Sequence, residues 1–399
     1  MRNPKRAICI LVVLGAGMVA GKFAGAANPE TLRQTDVFVS GADGYHTYRI
    51  PSLIVSRKGT LLAFCEGRKD SRADSGDIDL LLKRSTDGGQ TWSRPQILWN
   101  DGTNTCGNPC AVLDEDTGVI WLLMTHNDGR DKESAIKAKK GLGTRTVWLA
   151  RSGDEGETWS KPDEITKSVK DPSWGWYATG PGVGIQIKHG PRRGRLVIPC
   201  DHTYDEPGGN LRGLPVEYGA HAFYSDDHGK TWKLGAAIRP KVNECQLVEL
   251  ADGKGTLLMD MRAYFGKSRR AQSVSPDGGR TWSAPEDQAE LIEPVCQASI
   301  LRYTWRTQNS QSRILFSNPA DEKKRINMTV RLSYDEGNTW PVSRTIHPTE
   351  SAYSCLTVLP DLEIACLYER GVQHAYEKIT FARFSLEWLA EGKDSLRQK

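Results

Sequence analysis

The chain has 399 residues, 38% hydrophobic and 26% charged, with a formal net charge of +4 and nine cysteines. The whole positive excess sits in the first 27 residues, where Arg2, Lys5, Arg6 and Lys22 face no acid. The remaining chain is near neutral and lacks the clustered basic surface that a nucleic-acid partner requires; the two basic runs, 132–145 and 323–325, read as solvated loops.

The N-terminus has the grammar of a secretory signal: the early basic residues, an apolar run over 7–20, then Ala24-Gly25-Ala26-Ala27. Cleavage near Ala26 or Ala27 is expected, leaving 28–399 as a single domain of a secreted or periplasmic protein. The apolar run is shorter than the ~20 residues a membrane span needs. No later run is long enough either, so no span is expected in the mature chain.

Short β-rich runs come next, at 52–56, 61–65, 119–124, 196–200 and 257–261, separated by Gly, Pro and Asn turns. Three-turn helical periodicity is absent, and 131–140 is the best helix candidate, in an insertion between strands. Interleaved with these runs, the phrase Ser-x-Asp-x-Gly-x-Thr-Trp occurs five times, starting at Ser85, Ser152, Ser225, Ser275 and Ser333. The phrase suits a hairpin turn. Its Asp can bond turn N–H groups, its Gly takes positive φ, and its Trp fills an apolar gap with the indole N–H left to find an acceptor. Starts 67, 73, 50 and 58 residues apart allow about four short strands per repeat, which predicts an all-β, six-bladed β-propeller. After the fifth phrase, 355–359, 364–368 and 379–384 supply three strands, and an N-terminal strand at 36–39 completes the last blade and closes the ring.

The cysteines permit oxidation in an exported protein, but their pairing is not legible, and Cys106-x-x-x-Cys110 lacks partners at zinc-site spacing. The chemistry-bearing positions then fall in chain order. Arg49 stands in Tyr48-Arg49-Ile50-Pro51, Arg68 in Glu66-Gly67-Arg68, and Asp74 in Ser71-Arg72-Ala73-Asp74-Ser75-Gly76-Asp77, with Asp77 and Asp79 as rivals assigned to turn or strand roles. Glu244 stands in Asn243-Glu244-Cys245-Gln246, Arg262 in Met259-Asp260-Met261-Arg262, and Arg325 in Arg325-Ile326-Asn327-Met328. Tyr353 in Ala352-Tyr353-Ser354-Cys355 and Glu369 in Leu367-Tyr368-Glu369-Arg370 complete the set. Taken singly, the arginines read as surface ion pairs, the acids as solvated carboxylates and the tyrosine as a rim aromatic.

Taken together, in this order and with the boxes, these motifs resemble the exo-sialidases (neuraminidases) of bacterial and animal type over nearly the whole mature length. The resemblance implies that Arg49, Arg262 and Arg325 clamp the carboxylate of a sialic acid, for which guanidinium forks are suited in charge and shape. It implies Tyr353 as nucleophile, with Glu244 as the base that its high free pKa demands, and Asp74 as acid/base. Glu369 would orient Arg49, Arg68 would contact substrate, and Asn108 and Trp121 sit where relatives build the N-acyl pocket. Sialylated glycans are the implied substrate, with hydrolysis by retention through a tyrosyl-enzyme and no cofactor or metal. A sugar-binding propeller without catalysis, a trans-sialidase and a glycosidase on another acidic sugar are the alternatives; linkage, N-acyl preference and oligomeric state are not legible.

Overall fold

The five box phrases fold alike. In each, the Ser hydroxyl donates to the Asp and accepts the N–H of the Gly four residues on, at 2.8–3.0 Å. The Asp in turn accepts the Thr N–H at 2.8–3.0 Å and the Thr hydroxyl. Every box Gly has φ between +77° and +91°, a region that a Cβ makes costly. The polar groups of the turn are thus satisfied within seven residues.

The computed structural model describes Met1 and residues 31–211, 213–307 and 310–396; apart from Met1, the expected signal segment lies outside them. Strand pairing joins the described strands into four sheets, which divide at one parallel bridge, Ile78 to Thr105, and within the long strand Val342–Val358 into successive antiparallel units in chain order. The first holds Thr47–Val55, Leu61–Arg68, Ile78–Ser85 and Gln96–Trp99; the second holds Thr105–Leu113, Ile120–Asn127, Thr146–Ser152 and Asp163–Glu164. The third has the short pieces Tyr177–Thr179 and Ile185–Gln186 along one edge of Leu196–Asp205, followed by Val216–Ser225 and Lys233–Ile238. The fourth holds Val242–Glu249, Leu257–Ala263, Arg269–Ser275 and Glu286–Ile292. The long strand Val342–Val358 is shared: its first part ends the fifth unit, after Ser299–Thr304, Arg313–Pro319 and Ile326–Ser333, and its last part begins the sixth. Ile364–Arg370, Lys378–Phe384 and the N-terminal strand Arg33–Val39 complete the sixth unit, so the two ends of the chain meet in one sheet.

Each box begins on the last residue of a third strand and leans on the unit before it. A Cβ on Gly89 would lie 2.2 Å from Phe381 of the sixth unit, on Gly156 2.3 Å from Leu62 of the first, and on Gly229 2.2 Å from Trp121 of the second. The box tryptophans obey the same rule: Trp92 meets Phe381, Trp159 meets Phe64 and Trp232 meets Trp121. Contact of the first box with the sixth unit closes the ring. The fold is an all-β propeller, as the repeats predict. Inner strands of all units line an axial cavity of about 410 Å³ at the box end, walled by Leu53, Val112, Val183, Leu247, Ile300 and Leu356.

Three expectations are corrected. Only Trp159 finds an indole acceptor, the Gly156 carbonyl at 3.2 Å; the N–H groups of Trp92, Trp232, Trp282 and Trp340 are buried without one, because the rings are wedged among side chains that accept nothing. Trp121 lies at the box end, packed on Trp232, and belongs to the core between units. The run 132–145 is not all solvated loop: the helix Glu133–Lys137 folds inward, and Lys137 and Arg145 are buried. All eight described cysteines are buried free thiols. No helix among the described residues is long and apolar enough to cross a membrane.

Candidate active site

At the end of the sheets opposite the boxes, inner strands stop pairing regularly. Register slips occur between Arg49 and Ser52, Gly107 and Cys110, Val242 and Cys245, and Ser351 and Ser354. Ile50 and Asn108 within these slips have φ of 61° and 51°, which for β-branched Ile50 is a costly conformation. Such bulges re-aim side chains. Arg49, Glu244 and Tyr353 each stand in or beside one.

The structure brings together all eight residues singled out from the sequence. Glu369, on Ile364–Arg370 and fully buried, accepts from Arg49 Nε (3.1 Å) and Nη2 (3.2 Å), from the Ile50 N–H (2.9 Å) and from the Tyr353 N–H (3.1 Å). One carboxylate therefore holds the first and last inner strands in register although they lie at opposite ends of the chain. The Tyr353 hydroxyl donates to Glu244, whose other oxygen takes Arg262 Nη1 at 2.7 Å. Arg262 Nη1 also reaches the phenol oxygen at 3.4 Å. The guanidinium carbons of Arg49 and Arg325 lie 4.8 and 5.7 Å from the centre of the Tyr353 ring.

Three guanidinium groups thus surround one phenol. Among the described residues Arg325 bonds neutral acceptors alone, the Tyr376 hydroxyl at 3.1 Å and the Val295 carbonyl at 3.2 Å, so its charge is not matched by a carboxylate there. Burial, reinforced by the Glu244 charge, raises the Tyr353 pKa well above that of a free phenol, against the pull of Arg262, Arg325 and Arg49. The resting phenol is neutral and hydrogen-bonded to Glu244.

Asp74 lies on the loop between Leu61–Arg68 and Ile78–Ser85, with its side chain 59% exposed. One oxygen sits 2.8 Å from Arg68 Nη2 and 3.6 Å from Arg49 Nη1. Although burial works against it, these two cations hold the Asp74 carboxyl below its usual range. Arg68 is itself fixed by Glu66 at 2.6 Å and by the Arg72 carbonyl at 2.7 Å. The other Glu66 oxygen accepts the Asn108 N–H at 2.9 Å. Of the rival acids, Asp79 is a buried strand residue bonded to Tyr45 and Asn100.

Comparison with known proteins decides what this arrangement is related to. The family model for the BNR repeat-like domain matches residues 59–366. A sialidase of Micromonospora viridifaciens is 33% identical over 96% of this chain. The chain belongs to the sialidase family. It spans 60% of the length of that bacterial sialidase, but 91% of the mouse protein Sialidase-3, to which it is 30% identical over 85% of its own length. Among solved structures, the Hadza microbial sialidase Hz136 superposes with a TM-score of 0.76 at 31% identity, covering 89% of this chain and 69% of that one.

Motifs of this sialidase-family chain did not reveal four side chains at the mouth. Tyr376 carries the Arg49 guanidinium on its ring face at 4.1 Å, yet its loop has no motif. Glu66 stood in view beside Arg68. Arg145 falls at the end of the basic run 132–145, and Asp201 follows the apolar strand run 196–200 with no motif around it.

Proposed function

We propose that this chain is a retaining exo-α-sialidase that hydrolyses terminal α-linked sialic acids of glycans on a propeller whose six four-stranded units are its blades. The observation that carries the reading is the convergence of Arg49, Arg262 and Arg325 on Tyr353, whose hydroxyl already rests on Glu244. A sugar carboxylate seated among the three cations sets its anomeric carbon beside the phenol.

Glu244 then accepts the Tyr353 proton as the phenol oxygen bonds the anomeric carbon, and the glycosidic bond breaks with Asp74 giving its proton to the departing oxygen. In the second half, Asp74 takes a proton from water as the water oxygen bonds the same carbon. The phenol oxygen leaves and recovers its proton from Glu244. A neutral nucleophile is preferable because a carboxylate would meet the sugar's own negative charge on the attacked carbon, whereas the phenolate develops only as the arginines stabilise it. Asp74 is an anion in the empty site. A sugar carboxylate that engages Arg49 weakens the pull on Asp74 and lets it carry the proton an acid needs. A merely sugar-binding protein has no use for the phenol–carboxylate contact.

The test is turnover of a fluorogenic aryl sialoside, with and without a 2,3-dehydro analogue whose flattened ring resembles the oxocarbenium-like transition state. Release of fluorophore that the analogue suppresses is expected; no release from the folded protein overturns the reading. Lactose competing with water separates transfer from hydrolysis.

A further inference from the structure

A charged side chain stands among the largest that are fully buried: Arg270, 0% exposed on Arg269–Ser275 in the fourth unit. It lies between two acids buried as deeply, Asp260 and Glu293. Its Nε donates to Asp260 at 2.7 Å, and its Nη1 donates to Glu293 at 2.8 Å and to the Cys296 carbonyl at 2.7 Å. Two carboxyl groups and a guanidinium taken out of water often stabilise a fold no better than apolar side chains of the same volume, so stability is a poor explanation for them. What they hold is a better one.

Glu293 follows Glu286–Ile292 and begins the connection from the fourth unit to the fifth. Its Oε1 accepts the N–H of Ala263, the residue after the clamp arginine Arg262, at 2.8 Å. The ladder between Leu257–Ala263 and Arg269–Ser275 ends at Met261 opposite Ala271, so Glu293 fixes the backbone of Arg262 just beyond it. Its Oε2 takes Arg270, which also grips the Cys296 carbonyl and thereby holds both ends of the segment 293–296. Between those ends Val295 has φ of 54°, a costly conformation for a β-branched residue, and its carbonyl accepts Arg325 Nη2 at 3.2 Å. From the fifth unit, buried Asn318 donates to the Ile292 carbonyl at 2.8 Å and secures the same segment. One buried cluster therefore reaches the backbone behind Arg262 and the acceptor of Arg325.

We infer that Arg270 and Glu293 are positioning residues that aim Arg262 and Arg325 at the carboxylate of the substrate. The inference rests on the acidic-sugar reading of the site and adds what orients two of its three cations. Both residues are fully buried and act through the backbone of residues 263 and 295. Glu369 plays the corresponding part for Arg49 and Tyr353, where the first unit meets the sixth; Arg270 and Glu293 play it where the fourth meets the fifth. A guanidinium held beforehand loses less freedom when the anion arrives, and its fork binds a carboxylate well only in the right orientation. A misplacement of about 1 Å is enough to cost much of that gain.

The test measures binding of the 2,3-dehydro analogue in two forms, one with its carboxylate and one with that group made an uncharged carboxamide, beside melting temperature. The wild-type chain is expected to bind the carboxylate about 10²-fold more tightly. Replacing the cluster by apolar side chains, Asp260→Leu, Arg270→Met and Glu293→Met together, should leave the melting temperature nearly unchanged or raised. It should nevertheless reduce the preference for the carboxylate about tenfold, and on an aryl sialoside raise KM more than it lowers kcat. Arg270→Lys, which keeps the charge but not the fork, should lie between. Should the triple replacement not fold, the nearly isosteric Glu293→Gln is read on the same ratio, and a fall is again expected. Equal losses on both forms, or an unaltered preference in a folded variant, overturn the inference and leave the sialidase reading intact. A wild-type chain without preference for the carboxylate refutes the acidic-sugar reading, and this one with it.

Discussion

The two ends of the same β-strands obey different rules. At the box end five turns are built from one phrase, and the hydrogen bonds of its Ser, Asp and Thr stay within seven residues, although four of the box indole N–H groups are buried without an acceptor. At the mouth no such phrase recurs, partners stand hundreds of positions apart, 320 for Arg49 and Glu369, and Arg145 Nε, both Asp201 oxygens and Arg262 Nε are unsatisfied among the described residues. One end stores stability in local, redundant pieces. The other spends it on buried polar groups left without partners.

Substitutions at the two ends should therefore separate activity from stability. The largest effect is expected from Tyr353→Phe, which keeps the ring packed against Arg49 and Arg325 but removes the attacking oxygen. Turnover of an aryl sialoside should fall by at least about 10³-fold with the melting temperature nearly unchanged; retained turnover would remove Tyr353 from the mechanism. Asp74→Asn should cost about 10²-fold or more on sialyllactose, whose leaving oxygen needs a proton, and much less on a nitrophenyl sialoside. Equal losses across a leaving-group series would assign Asp74 to binding alone.

Glu369→Gln tests the one place where the contrast narrows, because this mouth residue is also structural. Replacing a buried carboxylate that receives four hydrogen bonds should cost about 3 kcal/mol in denaturant melts, together with about 10²-fold in kcat/KM as Arg49 and Tyr353 drift apart. Loss of activity without loss of stability would mean that Glu369 touches substrate instead of holding its neighbours.

The smallest and opposite effect belongs to the boxes. Asp87→Ala should lower stability by about 1–2 kcal/mol and leave kcat/KM at ordinary temperature unaltered, since four further boxes remain. The same carboxylates set the acid limit. Hydrogen bonding from the Thr91 hydroxyl, and from the Thr158 hydroxyl in the next box, draws Asp87 and Asp154 down to about 2. A carboxyl depressed in the fold contributes stability that is present above its unfolded pKa of about 3.9 and is lost as pH falls through the folded value. The wild-type chain should thus lose stability between about pH 4 and 2, and the Asp87→Ala chain should show a shallower decline, measured by melting temperature against pH.

Much of this was legible in the chain itself, for a physical reason that the contrast between the two ends makes plain. A turn closed by Ser85, Asp87, Gly89 and Thr91 is a local object, so five copies declare a propeller wherever the copies fall, and the closing strand Arg33–Val39 comes from counting. The arginines, Asp74, Glu244, Tyr353 and Glu369 were recoverable because each stands in a short motif, but their convergence was not, since it depends on ring closure and on bulges that turn Arg49, Glu244 and Tyr353 into one cleft. Tyr376 under Arg49, Trp121 in the core and the orphaned pair Arg145 and Asp201 were decided by packing between units far apart in sequence. Short-range hydrogen bonding writes itself into local sequence; burial and the electrostatics it governs are settled only when distant strands meet.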